Sequence, residues 1–295
     1  MRVFVTGATG FVGSAVVREL LSAGHQVLGL TRSDAGAEAL RAAGADVHRG
    51  NIDDLDSLRS GATGVDGVIH TAFNHNFATY RDNCAADVDI IKALGAPLAG
   101  SRRPLVVTSG TLSSTDGARP ADYAALPRLA SEEAAAAVAR TGVNVSVVRL
   151  PPSVHGAGDH GFVPMIIQSA AKNGASAYVG SGQNRWASVH RLDAARLFRL
   201  ALENAAPEAW YHGVADEGVA FKDIAAVIGR KLQLPVLSLA DEAASTSLGF
   251  LAGFAAMDLP STSAATRAAL GWEPVEPDLL TDLGEDHYFS SVMLR

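Results

Sequence analysis

The chain has 295 residues, of which 48% are hydrophobic and 19% charged, with a net charge of −7. This composition supports a large core. The acidic balance and the lack of a basic run disfavour nucleic-acid binding, because phosphate backbones are bound by positive patches. Cys84 is the single cysteine, which excludes an intrachain disulfide and a cysteine metal cluster. No apolar run reaches the roughly 18 residues that cross a bilayer, and no signal-peptide pattern precedes the first predicted strand. We therefore expect a cytoplasmic monomer or homodimer that binds a small-molecule substrate and neither membrane nor nucleic acid.

The start of the chain predicts a strand, a glycine turn and a helix. Residues 2–6 form a short run rich in β-branched side chains, and apolar residues recur at helical spacing over 11–21. Between them, Gly7 permits a tight turn, Gly10 lets backbone approach a pyrophosphate, and Gly13 lets the helix and strand pack closely. The helix N-terminus then offers free N–H groups to an anion. A glycine turn without a ligand is the alternative.

Strands alternate with helices through the first half of the chain. Further strands are predicted at 26–30, 45–48, 65–71, 105–108 and 143–150, and helices at 35–43, much of 78–99 and 128–141, with a short helix capped by Asp53 or Asp54. Such alternation is typical of a doubly wound α/β fold with a parallel sheet. Right-handed crossovers then predict the strand order 3-2-1-4-5-6.

The second half of the sequence is less regular. It predicts helices at 163–173 and 221–233, an extended stretch at 176–179 and a strand leading into a helix over 188–204. We predict a dinucleotide-binding domain at 1–155 and a smaller substrate-binding region at 156–295, with part of 185–204 packing back on the first. The aromatic residues expected to line the cleft between them, with core packing as the alternative, are Phe162, Tyr178 and Trp186.

The run TGATGFVG resembles the opening of the extended short-chain dehydrogenase/reductase superfamily, which includes nucleotide-sugar epimerases and dehydratases. Four later segments resemble its fourth, fifth and sixth strands and its C-terminal signature; they are 68–72, 106–109, 148–156 and 180–195. The resemblance implies a Rossmann fold, that is, a doubly wound and mostly parallel α/β sheet with a smaller C-terminal α/β region. It also implies a bound nicotinamide dinucleotide.

The sequence departs from this family at the proton donor. The family uses a Tyr followed four residues later by a Lys, and no tyrosine here precedes a lysine at that spacing. If Glu132 matches the family's helix glutamate, Arg128 occupies the lysine position and Ala124 the tyrosine position, with Tyr123 one residue away. Where the family usually has another Tyr, this chain has His155. The resemblance therefore implies cofactor binding and leaves the chemistry open.

The end of the second strand selects between the two nicotinamide dinucleotides. An acidic side chain there bonds the ribose of NAD and repels a 2′-phosphate. The equivalent residue here is Thr31, followed by Arg32 and Ser33, which could pair with and bond a phosphate. Asp34 is the competing observation, and we place it beyond the strand facing solvent. The pattern favours NADP, with NAD as the alternative.

The remaining cofactor contacts follow from strand ends and from the resemblance. Asn51 and Ile52 stand where the family surrounds adenine, and residues 71–73 should lie beneath the dinucleotide. The predicted set is Gly7, Thr9, Gly10, Phe11, Val12, Gly13, Arg32, Ser33, Asn51, Ile52, Thr71, Ala72, Phe73, Thr108, Arg128, Pro151 and Val154.

Four residues are candidates for the chemistry. Ser109 ends the fifth strand, where the family bonds the substrate carbonyl, and Thr111 is the reserve. Arg128 could hold the ribose and stabilise an oxyanion, although its pKa above ~12 prevents proton relay. Tyr123 or His155 could supply the proton. For each of the four, a cap, surface or structural role is the alternative.

His155, Asp159 and His160 share one glycine-rich loop. No metal-binding spacing supports a site there, so we predict no metal. His190 and Asp193 are expected to fix the packing of the second region.

Three functions remain open. The first is an NADP-dependent oxidoreductase, of carbonyl reductase or alcohol dehydrogenase type, for a small organic compound. The second is a nucleotide-sugar epimerase or dehydratase, which also needs a strong base. The third is a non-catalytic NADP-binding sensor, which would bind NADPH tightly without turnover. The sequence favours the first.

Overall fold

The computed structural model describes residues 1–111 and 127–290. Its first half contains, in order, β1 (Arg2–Thr6), α1 (Phe11–Ser22), β2 (Gln26–Thr31), α2 (Asp34–Ala43), β3 (Asp46–Arg49), α3 (Leu55–Ala62), β4 (Gly67–His70), α4 (Tyr80–Gly95), β5 (Pro104–Gly110), α5 (Ala130–Ala139) and β6 (Asn144–Leu150). The second half contains β7 (Ser153–His155), α6 (Phe162–Asn173), β8 (Ser176–Val179), β9 (Arg185–His190), α7 (Arg191–Asn204), β10 (Ala209–His212), β11 (Asp216–Ala220), α8 (Phe221–Leu232), β12 (Val236–Leu239), α9 (Asp241–Leu248), α10 (Leu251–Ala256), α11 (Ala264–Leu270) and α12 (Leu279–Leu283).

Seven parallel strands form the central sheet, in the order β3-β2-β1-β4-β5-β6-β10. The predicted doubly wound α/β fold and the predicted order of the first six strands are therefore confirmed. The seventh strand was not predicted. Its four residues pair with β6, with Tyr211 opposite Val148, and so short a run has no diagnostic pattern in the sequence.

Side chains along β1 alternate between two cores, as a sheet covered on both faces requires. Val3 and Val5 point into one core with α1 and α7, while Phe4 points into the other with α3, α4 and α5. The short α3 is capped by Asp54, whose carboxylate accepts from the backbone N–H groups of Asp56 and Ser57. No helix in the described ranges is long and apolar enough to cross a membrane.

A second part of the molecule is built around a small sheet, β11-β9-β7, and a parallel pair, β12-β8. Its core is formed by α6, α8, α9, α10 and α12. Trp186 belongs to this core at 1% exposure, so the prediction that it lines a cleft is wrong. The ring packs edge-on against Phe221 with centroids 5.1 Å apart, and its indole N–H donates to the Phe254 carbonyl. From β9 the chain returns through α7, which packs against α1 and over β4, β5 and β6.

Candidate cofactor and active site

The glycine turn between β1 and α1 leaves no room for side chains on its inner side. Gly7 has φ +67°, and a Cβ added to it would lie 2.7 Å from the Ala72 amide nitrogen. A Cβ on Gly13 would lie 2.0 Å from the Gly7 carbonyl oxygen. At Gly10 the only described atom within 4 Å of such a Cβ is the same oxygen, at 3.1 Å. The side of the turn that faces β1 and Ala72 is therefore closely packed, whereas the side at Gly10 is open. This arrangement of backbone groups fits the pyrophosphate of a dinucleotide.

Residues 71–73 leave the end of β4 directly beside this turn. The Thr71 hydroxyl donates to the Thr6 carbonyl at 2.7 Å, and the Ala72 N–H donates to the Thr6 hydroxyl at 3.4 Å. The structure thus brings the predicted residues Thr71 and Ala72 to the turn at the carboxyl edge of the sheet, where ligands of open α/β sheets bind.

Two arginines lie at the ends of the neighbouring strands β2 and β3. Arg32 is exposed, and Ser33 caps α2 by accepting from the Gly36 N–H at 3.1 Å. Arg49 ends the neighbouring β3, where it donates to the Ser33 carbonyl and forms an ion pair with Asp34. The sequence analysis gave Arg49 no role. It is the last residue of the adjacent parallel strand and lies opposite Thr31, a register that the sequence alone does not reveal.

The predicted adenine-side residues lie just beyond β3. The Asn51 amide donates to Asp53 at 3.1 Å, and Ile52 packs against the core that contains Phe4. Both lie on the loop that leads into α3, after the strand next to β2.

A buried chain of hydrogen bonds links β1, β4 and α4. Thr6 Oγ1 lies 2.7 Å from His70 Nδ1, and His70 Nε2 lies 2.9 Å from an Asp87 oxygen. The Ser131 hydroxyl donates to Asp87 at 2.6 Å. Burial would raise the pKa of Asp87, but His70 and Arg128 together hold it well below its usual value. The sequence analysis missed His70 and Asp87 as a polar pair, because they are brought together only by the packing of α4 on the sheet.

Arg128 is the cation at the end of this chain. Its guanidinium forms an ion pair with Asp87, donates to Ser131, and donates to the Thr108 carbonyl at 2.8 Å. Its guanidinium carbon lies 4.0 Å from the centroid of the Phe73 ring. Arg128 therefore stands at the strand-end edge, and much of its hydrogen-bonding capacity is used within the protein.

Ser109 lies near the end of β5 and is 3% exposed. Within the described part of the chain its hydroxyl oxygen has no hydrogen-bond partner. A buried hydroxyl is costly to leave unpaired, so this atom is available to a bound group. The neighbouring Thr108 hydroxyl donates to the His70 carbonyl at 2.7 Å, and the Thr111 N–H donates to the Leu150 carbonyl at 2.7 Å. The candidate Tyr123 falls outside the described residues.

His155 is the last residue of β7, in the small sheet of the second part of the molecule. Its side chain is fully buried, and Nδ1 lies 2.8 Å from an Asp282 oxygen. Like the Ser109 hydroxyl, its Nε2 is buried and has no hydrogen-bond partner among the described residues, and the contact with Asp282 favours the structural role that the sequence left as the alternative. The sequence could not reveal this, since Asp282 lies 127 positions away along the chain.

The other residues of the His155 loop are also engaged in hydrogen bonds. Asp159 accepts from the Gly161 N–H at 2.7 Å and from the Tyr288 hydroxyl at 3.2 Å. Across residues 1–111 and 127–290, no group of three or more His, Cys, Asp or Glu side chains could hold a metal ion.

Aromatic rings bridge the loop after β4 and the second part of the chain. Phe77 lies within 6.1 Å, centroid to centroid, of Tyr80, Phe162, Phe250 and Phe254. Phe250 is 59% exposed. The predicted position of Phe162 between the two parts agrees with these contacts, and the sequence analysis missed Phe77.

His75 stands beside Phe73, with ring centroids 5.1 Å apart. Partial burial lowers its pKa, and the charges of Arg128 and His160 lower it further. These influences favour the neutral form of His75, a residue that the sequence analysis did not single out.

A model of the NAD dependent epimerase/dehydratase family matches residues 3–212. An uncharacterized protein of Schizosaccharomyces pombe is 48% identical over 98% of this chain and 100% of its own length. The 2-alkyl-3-oxoalkanoate reductase of Stenotrophomonas maltophilia is 29% identical over 73% of this chain and 69% of its own. Among solved structures, the dTDP-glucose 4,6-dehydratase DesIV of Streptomyces venezuelae, with NAD bound, has a TM-score of 0.77 at 21% identity, covering 99% of this chain and 97% of that one. This last likeness concerns the fold.

Proposed function

Because the chain belongs to the NAD dependent epimerase/dehydratase family, we propose that it is an NADP-dependent oxidoreductase that interconverts a carbonyl and an alcohol on a small organic substrate. The observation that carries this proposal is the pair of arginines, Arg32 and Arg49, at the ends of β2 and β3. The 29% identity to a 3-oxoalkanoate reductase also supports it.

The charges at the adenosine end favour a 2′-phosphate. Thr31 takes the place of the carboxylate that would bond an unphosphorylated ribose. The acidic neighbour, Asp34, is paired with Arg49, which offsets its repulsion of an anion. Arg32 is exposed and able to turn toward a phosphate.

We expect the parent protein to bind NADPH at least about tenfold more tightly than NADH, because charged hydrogen bonds contribute roughly 1.5–3 kcal/mol. Arg32→Ala should remove most of this preference, and Arg49→Ala part of it. Fluorescence titration with both cofactors measures the ratio. Arg41→Ala, which removes an arginine from the last turn of α2, is the control and should keep the ratio. Equal affinities in the parent protein would refute the phosphate site.

The cofactor supplies or accepts the hydride when bound; the chain must orient the substrate and handle the proton. We propose that the Ser109 hydroxyl donates a hydrogen bond to the substrate oxygen. Arg128, fixed by Asp87, contributes a positive charge that stabilises negative charge developing at the same edge. Ser109, Tyr123 and His155 remain the predicted proton donors.

Ser109→Ala is expected to slow single-turnover NADPH oxidation by about 100-fold, the cost typical of losing one hydrogen-bond donor to a developing oxyanion. The substrate is whichever member of a panel of small aldehydes and ketones the parent reduces. Ser153→Ala is the matched control for Ser109→Ala, since the Ser153 hydroxyl is equally buried and also lacks a hydrogen-bond partner among the described residues. Equal rates for the parent and Ser109→Ala would remove Ser109 from the mechanism.

The family match also favours a second candidate, a nucleotide-sugar epimerase or dehydratase. Turnover of UDP- or dTDP-sugars, with no reduction of the carbonyl panel, would establish it instead. Tight NADPH binding without either activity would indicate a non-catalytic binding protein.

A further inference from the structure

Arg191, the first residue of α7, reaches from the second part of the chain to the glycine turn. Its guanidinium carbon lies 5.1 Å from the centroid of the Phe11 ring, and Phe11 is the first residue of α1. The methylene groups of Arg191 pack closely against the backbone of the loop after β7, since a Cβ added to Gly156 would lie 3.2 Å from Arg191 Cγ. A Cβ on Gly158 would lie 3.8 Å from Arg191 Nη1. Both glycines have positive φ, +134° and +87°, so the loop backbone is shaped to hold this side chain over Phe11.

No carboxylate among the described residues is bonded to the Arg191 guanidinium. It is half-buried and makes no hydrogen bond or ion pair there. Burial lowers its pKa, and so does the like charge of Arg18, which is exposed further along α1. The carboxylate of Asp282 attracts it but is already bonded to His155 at 2.8 Å. A half-buried guanidinium beside the glycine turn, without a carboxylate bonded to it, favours an anion at that place.

We propose that Arg191 binds the pyrophosphate of the dinucleotide and so joins the second part of the chain to the cofactor. The inference rests on the proposed cofactor function. A guanidinium presents a planar fork of donors that suits phosphate oxygens, and it adds charge to the backbone N–H groups of the glycine turn. The stacked position on Phe11 and the glycine loop set this fork before the cofactor binds, which limits the entropy lost on binding.

The test compares ligands that differ in the second phosphate. NADPH, ADP and AMP are titrated by calorimetry into the parent and into R191Q, R191K and R140Q. R191Q should weaken NADPH and ADP binding by about tenfold or more, the effect of one lost charged hydrogen bond, and AMP binding by less than about threefold. R140Q is the matched control, because Arg140 is exposed at the far end of α5, and it should bind all three ligands like the parent.

R191K keeps the charge but not the fork, so it should lose about threefold for ADP and little for AMP. If R191Q does not fold, as judged by thermal melting, R191K alone decides the question by this ADP-to-AMP difference. Equal losses for ADP and AMP, or binding by both Arg191 variants that matches R140Q, would overturn the inference. If the parent binds neither NADPH nor NADH, the proposed cofactor function fails, and this result is distinct from a failure of the Arg191 contact alone.

Discussion

Gly13→Ala is expected to weaken dinucleotide binding by about 100-fold, the equivalent of two lost charged hydrogen bonds. The added methyl carbon would lie 2.0 Å from the Gly7 carbonyl oxygen, far inside van der Waals contact. Either α1 moves away from β1 or the turn opens, and both displace the N–H groups that face a pyrophosphate. Overpacking of this kind also costs about 3 kcal/mol of folding free energy, or roughly 5–10 °C in melting temperature. NADPH titration and thermal melting measure the two effects.

Gly253→Ala is the matched control for this prediction. Gly253 lies within α10 and no described atom stands within 4 Å of an added Cβ. Alanine is the better helix former, so this variant should melt at the parent temperature or slightly above it. A Gly13→Ala protein with parent affinity for NADPH would mean that the turn does not hold the pyrophosphate.

Arg128→Met should lower the free energy of unfolding by about 3 kcal/mol, because it removes the guanidinium paired with the buried Asp87 carboxylate and leaves only His70 and Ser131 as its partners. The side chain of Asp87 is 2% exposed and that of Arg128 14%. Urea denaturation of Arg128→Met, Asp87→Asn and the double variant measures the coupling between the two groups. Arg59→Met is the control: Arg59 also pairs with an aspartate, but both partners are exposed, so its loss should cost less than about 1 kcal/mol. An equal loss of unfolding free energy in Arg128→Met and Arg59→Met would contradict a stabilising role of the buried Arg128–Asp87 pair.

The same pair predicts a dependence on pH. The folded protein holds the pKa of Asp87 below that of the unfolded chain, which is about 3.9. The stabilisation is therefore fully present above about pH 4 and is lost as the pH falls toward the lower, folded value. The stability difference between the parent and Asp87→Asn should be constant from pH 7 to about pH 5 and should shrink below pH 4. A difference that does not change with pH would indicate that Asp87 is not held as a charged group.

The sequence contained enough information for the sheet but not for most of the polar contacts around it. Alternating apolar runs determine which segments become strands, and right-handed crossovers determine their order, so β1 to β6 could be predicted. The pairing of His70 with Asp87 depends on how α4 lies against β4, and the position of Arg49 beside Asp34 depends on strand register. Neither has a local signature. His155 shows the same limit, since a histidine in a glycine-rich loop suggests an exposed ring, whereas this ring is buried and bonded to the distant Asp282.

The return of the chain through α7 and β10 has a consequence for synthesis of the protein. Phe198, Ala201 and Leu202 of α7 are fully buried in the core that covers one face of the sheet. Until these residues leave the ribosome, the nascent sheet carries an uncovered apolar face over β4, β5 and β6. The edge of β6 also stays unpaired until residues 209–212 arrive. The nascent chain thus has an apolar surface and a strand edge prone to aggregation until α7 and β10 have been synthesised, and completion of the sheet has to wait for a segment encoded downstream of its first six strands.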